Sequence, residues 1–265
     1  MMPPAPPRAP VLRPALTIAR YTLLEAWRNR LPWLLVAIAL AALGLASFAG
    51  ALALTETRQV QAALLGALLR LAAAFLVATF VVTSMLREAG DKGLELLLAL
   101  PVPRAAWLLG KLAGFFALAS MPALLFGMLT LLFAPPDQAA LWSASLLCEL
   151  WIVAAFSVLC MLTLQQALPA LAAALAFYLL ARSIGTLQLL GSGAALRHDS
   201  GQRALGAGID ALALLLPHLD AFTRTDWLVY HTGAASALLP IALQTLLYAT
   251  LLGACALFDL YRKAI

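Results

Sequence analysis

Between Arg30 and Glu56 the chain carries no charged residue. A helix rises 1.5 Å per residue, so about 20 apolar residues cross the roughly 30 Å hydrocarbon core of a bilayer. Five further apolar runs follow, so that candidate spans lie at 32–54, 62–86, 112–133, 141–164, 168–190 and 234–258. Inside hydrocarbon no water satisfies the backbone, and a continuous run must hydrogen-bond to itself as a helix. Composition rules against a soluble helical bundle: 64% of the 265 residues are hydrophobic and 11% are charged, where a soluble domain carries about 25% charged residues. A globule of this size could not hide that much apolar surface. The expectation is an all-α membrane protein with six transmembrane helices.

The remaining segments organise around those spans. Residues 1–14 (MMPPAPPRAPVLRP) are Pro-rich and read as a disordered tail, and 15–265 as one transmembrane domain without internal repeats. The first apolar run starts too late, and is too long, for a signal peptide. Residues 15–31 read as an amphipathic helix lying at the membrane interface. Leu16, Leu23, Trp27 and Leu31 share one face and Glu25, Arg28 and Asn29 lie off it, with Arg20 as the exception. The competing reading is a plain extension of the first span. Counting Arg and Lys near the span ends places eleven on one side and four on the other, which predicts that both termini are cytoplasmic. Gln165-Gln166 and Pro169 mark a tight turn. The outer loop, 191–233, is too long for a simple turn. Its apolar piece 205–216 has twelve residues, too few to cross, and is expected to be re-entrant or interfacial. The aromatic and charged stretch after it suits the outer interface.

The formal net charge is +5. Because the basic residues flank apolar runs, topology accounts for it and no nucleic-acid partner is expected. Cys148, Cys160 and Cys255 sit in apolar runs with no CxxC spacing and no neighbouring His, which reads as packing rather than redox or metal chemistry. His198, His218 and His231 are scattered along the outer loop and match no metal-ligand spacing. Neither HExxH nor GxSxG occurs, and Gly110-Lys111 lacks the upstream Gly and following Ser or Thr of a P-loop. No catalytic, cofactor-binding or metal residue is expected on this chain, and it is not expected to be an enzyme.

One cytoplasmic segment is more than a connector. Residues 87–111 read REAGDKGLELLLALPVPRAAWLLGK: a charge cluster, a seven-residue apolar stretch, then Pro101 and Pro103. Seven residues cannot span a bilayer. They can form a short helix with one apolar face, stopped by the prolines. Such a helix could be gripped by a cytoplasmic partner, or could rest on the bilayer surface.

The segment resembles the cytoplasmic loop of the permease subunits of ABC transporters of the type 2 exporter class. The family pattern is an acidic residue, a Gly, a second acidic residue, a Leu-rich turn, Pro-x-x-Arg and a later Gly-Lys. It falls here on Glu88, Gly93, Glu95, Leu97, Leu98, Pro101, Arg104, Gly110 and Lys111. Leu94 stands where many members carry Thr. The layout of interfacial helix, six spans, long last outer loop and basic C-terminal end is also similar. The resemblance implies that two permease chains pair, as a homodimer rather than a heterodimer, in a bacterial inner membrane. It implies that separate ABC ATPase subunits, holding the ATP and Mg, dock below them. Glu88, Asp91, Gly93, Glu95, Leu97, Leu98, Pro101, Arg104 and Lys111 become the ATPase-coupling residues, with the short helix near Asp91 seated in the ATPase.

Three ionisable residues fall inside spans: Arg70, Glu149 and Arg182. Each costs about 2.5–3.5 kcal/mol at a span centre on insertion scales, so each requires a reason. Each lies eight residues from the outer end of its apolar run, roughly 12 Å below the boundary. Glu149 is therefore expected to pair with Arg182 or Arg70, leaving one Arg to line a path. In the resembling family spans two and five contribute to the central dimer surface, so the resemblance implies that such an Arg would suit an anionic or amphiphilic cargo. A purely structural ion pair with a snorkelling Arg is the plainer alternative. Beside the permease reading stand an ion-coupled secondary transporter using Glu149, and a non-transporting partner that uses ATPase motion mechanically.

Overall fold

The computed structural model describes residues 12–53, 56–90, 103–191 and 200–262. Among them there is no strand, and the helices in chain order are α1 (Leu12–Arg28), α2 (Leu31–Leu52), α3 (Thr57–Gly90), α4 (Arg104–Thr130), α5 (Pro136–Leu164), α6 (Ala167–Gly191), α7 (Ser200–Leu215), α8 (Thr225–Val229) and α9 (Leu238–Arg262). Six of these helical stretches are long and apolar enough to cross a bilayer: Leu31–Leu52, Thr57–Glu88, Arg104–Thr130, Pro136–Leu164, Ala167–Leu189 and Ala235–Arg262. The chain is thus a six-helix, multi-pass membrane protein by length and composition.

Local chemistry explains the breaks. Asn29 N–H closes α1 on the Glu25 carbonyl, and Arg30 then turns left-handed, with φ 58°. Pro32, in the first turn of α2, has no N–H to continue α1 and its ring is compatible with a helix start. α1 is therefore a separate helix and not an extension of the first span. The second sharp break is at Gln165, φ 56°, whose N–H caps α5 by donating to the Met161 carbonyl, before α6 opens with Pro169 in its first turn.

Two helices outrun their apolar runs. α3 continues to Gly90 instead of stopping near residue 86, and α4 begins at Arg104 instead of residue 112. Hydropathy ends where charges begin, but backbone hydrogen bonding does not. At 1.5 Å per residue the 32-residue stretch Thr57–Glu88 measures about 48 Å, longer than the roughly 30 Å core. Helical pieces therefore occupy both flanks of the 87–111 segment, and its centre, 91–102, lies outside the described residues, as do 1–11.

α5 is the hub, packing on α3, α4, α6 and α9. Trp142, Leu146, Leu150, Val153 and Val158 along it are fully buried. α2 leans mainly on α3, and α1 lies across the start of α4. The α1–α4 crossing is close because both helices are small there. A Cβ on Gly110 would sit 2.7 Å from the Ala15 carbonyl oxygen, and one on Gly114 2.8 Å from Thr22 Cβ. Thr22 and Ala26 of α1 face the protein, while Leu16, Tyr21, Leu24 and Trp27 point away from it. Of the apolar face expected for this helix, Leu16 and Trp27 are exposed and Leu31 is buried at the start of α2.

The starts of α2, α4 and α6 and the ends of α1, α3, α5 and α9 share one end of the bundle. Arg28, Arg30, Arg87, Arg104, Lys111 and Arg262 lie there, and this is called the basic end below. At the opposite end, α7, α8 and the chain between them form a cap against α6, α3 and α5.

Candidate functional site

The expected intramembrane residues meet. Glu149 is the fourteenth of the 29 residues of α5 and is fully buried. Arg182 on α6 places Nη1 3.6 Å from Glu149 Oε1, within ion-pair range but too long for a hydrogen bond. Among the described residues Arg70 forms no ion pair with Glu149, and its Nη1 instead donates to the Thr223 carbonyl at 3.0 Å. Tyr178, buried on α6, lies among the same three side chains.

What joins these groups is a piece of the cap. After α7 the chain runs through Pro217 into a single 3₁₀ turn, Leu219–Ala221, and then through Phe222 and Thr223 into α8. Leu219, Phe222 and Thr223 are completely buried. This strap is irregular backbone, and its polar groups are answered by side chains from the helices. Arg182 Nη1 donates to the Leu219 carbonyl at 2.5 Å, the Phe222 carbonyl at 2.9 Å and Thr223 Oγ1 at 3.1 Å. Arg182 Nη2 reaches the Thr223 carbonyl at 3.4 Å. Thr223 N–H donates to Ser145 Oγ at 2.9 Å, and Thr223 Oγ1 donates to Glu149 Oε2 at 2.5 Å. Non-helical backbone is tolerated at membrane depth only where protein groups satisfy it, and the intramembrane charges do that here.

Two further contacts pin the cap. Gln138, at the start of α5, makes paired bonds with Gly233, donating to its carbonyl at 3.0 Å and accepting from its N–H at 2.9 Å. Gly185 on α6 leaves the space that the Asp220 carboxylate occupies, since a Cβ there would overlap Asp220 Oδ2. Asp220 also acts electrostatically on Arg182.

Nothing in the sequence pattern singles out Thr223, Ser145 or Tyr178. The stretch from Pro217 reads as outer-interface chain, yet Pro217, Leu219, Phe222, Thr223, Trp227 and Leu228 in it are buried. The available signal was indirect: two Arg and one Glu at mid-span cannot satisfy one another, so polar partners had to come from a non-helical segment.

The second constellation is at the basic end. Lys111 Nζ lies 2.6 Å from Glu88 Oε2, joining α4 to α3. Trp107 Nε1 donates to Glu88 Oε1 at 3.2 Å, and Lys111 Nζ stands 5.9 Å from the centre of the Phe115 ring. Arg104 Nη1 donates to the Leu260 carbonyl of α9 at 3.2 Å. Ser84 Oγ donates to Glu25 Oε2 at 2.9 Å, tying α3 to α1. Of the coupling residues expected from sequence, Glu88, Arg104 and Lys111 thus make contacts within the chain, and Gly110 serves the α1 crossing. Asp91, Gly93, Glu95, Leu97, Leu98 and Pro101 lie outside the described residues.

No group of His, Cys, Asp and Glu that could hold a metal occurs among the described residues. The three cysteines are unpaired. No protein-family model matches the chain, and a comparison with curated proteins also gives no match.

Proposed function

We propose that this chain is the membrane-spanning permease subunit of an ATP-driven ABC exporter of the type 2 class, working with a separate ATPase. The observation that carries the reading is the clamp of Glu88, Lys111 and Trp107 at the foot of α3 and α4. The clamp ties together the two helices that border the segment bearing the family-like motif. A displacement of that segment would be passed to both helices together, because their ends are tied. α3 also carries Arg70, so the same displacement reaches the strap through the Arg70–Thr223 bond. ATP binding on a partner would then favour one of two arrangements of the bundle, which is all that coupling requires.

In this reading the basic end faces the cytoplasm, as the excess of Arg and Lys there favours. The outward Leu16, Leu24 and Trp27 of α1 would lie in the inner interface. A second copy would complete the path in a bacterial inner membrane. An ion-coupled carrier working through Glu149 is less well supported, because Glu149 is fully buried and the Thr223 hydroxyl occupies its Oε2, with Arg182 3.6 Å from Oε1.

The test is co-purification with a P-loop ATPase, sought first among the products of neighbouring genes. Glu95→Arg should abolish capture of the ATPase, while Lys111→Met should retain capture and lose the rise in ATP turnover that the permease causes. If Glu95→Arg leaves both capture and turnover unchanged, the coupling assignment is wrong.

A further inference from the structure

The strap brings a row of carbonyl oxygens to two guanidiniums. Arg182 is met by the oxygens of Leu219, Phe222 and Thr223, with Asp220 nearby, and Arg70 by the Thr223 carbonyl. With the strap lifted, two cations would face one anion, Glu149, inside the bilayer. Such an excess is costly in hydrocarbon unless an anion joins it. Guanidinium forks match the oxygens of carboxylates and phosphates in geometry as well as charge.

The closed strap is also under tension. Thr223 has φ 40°, a left-handed conformation that is strained for a β-branched residue and persists only when its surroundings enforce it. Its N–H, hydroxyl and carbonyl are all held by side chains. Next to Arg70 along α3, Leu71 and, one turn further, Phe75 are about half exposed, apolar surface that an alkyl chain can cover.

We infer that Arg70 and Arg182 form a binding site for the oxyanion headgroup of a single-chain amphiphile, and that the strap 217–224 occupies this site in place of the ligand until the ligand displaces it. The ligand's headgroup oxygens take the positions of the strap carbonyls, Glu149 stays paired with Arg182, and Arg70 supplies the uncompensated charge. As a statement about cargo the inference rests on the permease reading, but its test needs no ATPase.

The experiment is equilibrium binding of dodecyl phosphate to the full chain in phosphatidylcholine nanodiscs, with laurate as the carboxylate arm. Inorganic phosphate and dodecyltrimethylammonium serve as headgroup-only and cationic controls. Thr223→Val, which keeps the shape and removes the hydroxyl, should tighten dodecyl phosphate binding about tenfold, the size of one hydrogen bond to a charged group. Gly185→Leu, which pushes Asp220 away without removing a polar group, should also tighten it. Arg70→Gln placed on the Thr223→Val background should lower affinity by at least about tenfold. Phe222→Cys, in a chain also carrying Cys148→Ala, Cys160→Ala and Cys255→Ala, should react with a charged maleimide faster when dodecyl phosphate is present. Equal binding of the cationic control, no response to either strap variant, or no effect of Arg70→Gln overturns the site. An unchanged rate at position 222 overturns the displacement. Loss of ATPase capture with anion binding intact would sink the permease reading alone.

Discussion

Two acid–base pairs at different depths behave differently. At the basic end Glu88 and Lys111 meet directly, 2.6 Å apart, and join two regular helices. In mid-bundle Glu149 and Arg182 stand 3.6 Å apart, and their short contacts go to the strap instead. Away from their ends regular helices have no unmet backbone groups to offer, so Glu88 and Lys111 satisfy each other, while Arg104 finds a carbonyl in the last turn of α9, at Leu260. An irregular segment in the bilayer brings orphaned carbonyls and N–H groups, and charged side chains at that depth are better used in satisfying them. The comparison teaches that position along the membrane normal, more than residue type, decides what a charge is for.

The largest expected effect is at Arg182. Arg182→Leu removes the donors for the Leu219 and Phe222 carbonyls and leaves Glu149 buried without its cation. Breaking a buried pair in this way costs about 3–5 kcal/mol. Thermal unfolding in detergent should register it, and Glu149→Gln added to Arg182→Leu should recover part of the loss by removing the stranded charge. A single-variant loss below about 1 kcal/mol, the range of an exposed ion pair, would erase the distinction between the two regions.

Next comes a test of what holds the basic end. Gly114 lies within 2.8 Å of Thr22 if given a Cβ, and the Ala19 carbonyl is close behind it. Gly114→Ile forces α1 off α4 and should cost about 1–3 kcal/mol by overpacking. It should also release α1 to proteolysis at Arg28 or Arg30, which a digestion time course would show. Lys111→Met should cost less, about 1–2 kcal/mol, because the Glu88 side chain is 18% exposed and can regain water. If Lys111→Met proves the more damaging of the two, charge rather than close packing holds this end.

The fold was largely legible in the sequence because the bilayer admits few solutions. Six apolar runs became six long helices, and the prolines and left-handed residues near Arg30 and Gln165 fell at breaks. The helix ends were less legible, since α3 and α4 carry on through charged residues where hydropathy stops. Equal depth brings Glu149 within reach of Arg182 or Arg70 without choosing between them; the structure pairs it with Arg182, and Arg70 serves the strap. The strap itself was hidden. Its alternation of buried Leu219, Phe222 and Thr223 with exposed Asp220 and Arg224 has neither helical nor strand period. Only its contacts with Ser145, Glu149 and the two arginines reveal why those residue types are there.

The smallest effect should come from a residue next to a fully buried one. Arg224 follows Thr223 directly and pairs with Asp226 at 2.9 Å, but the two side chains are 54% and 48% exposed. Water screens such a pair, and holding two long side chains in one geometry offsets most of the attraction, so Arg224→Ala should change stability by no more than about 0.5 kcal/mol. Any residual effect should fade in high salt, where charges at this exposure interact over only a few ångströms. The loss from Arg182→Leu should persist in the same salt, because its partners are shielded from ions. Measuring both variants across a salt series therefore separates depth from mere membership of the strap. A salt-resistant loss at Arg224 comparable to that at Arg182 would mean that the strap as a whole, and not the buried site beneath it, sets the energetics of this end.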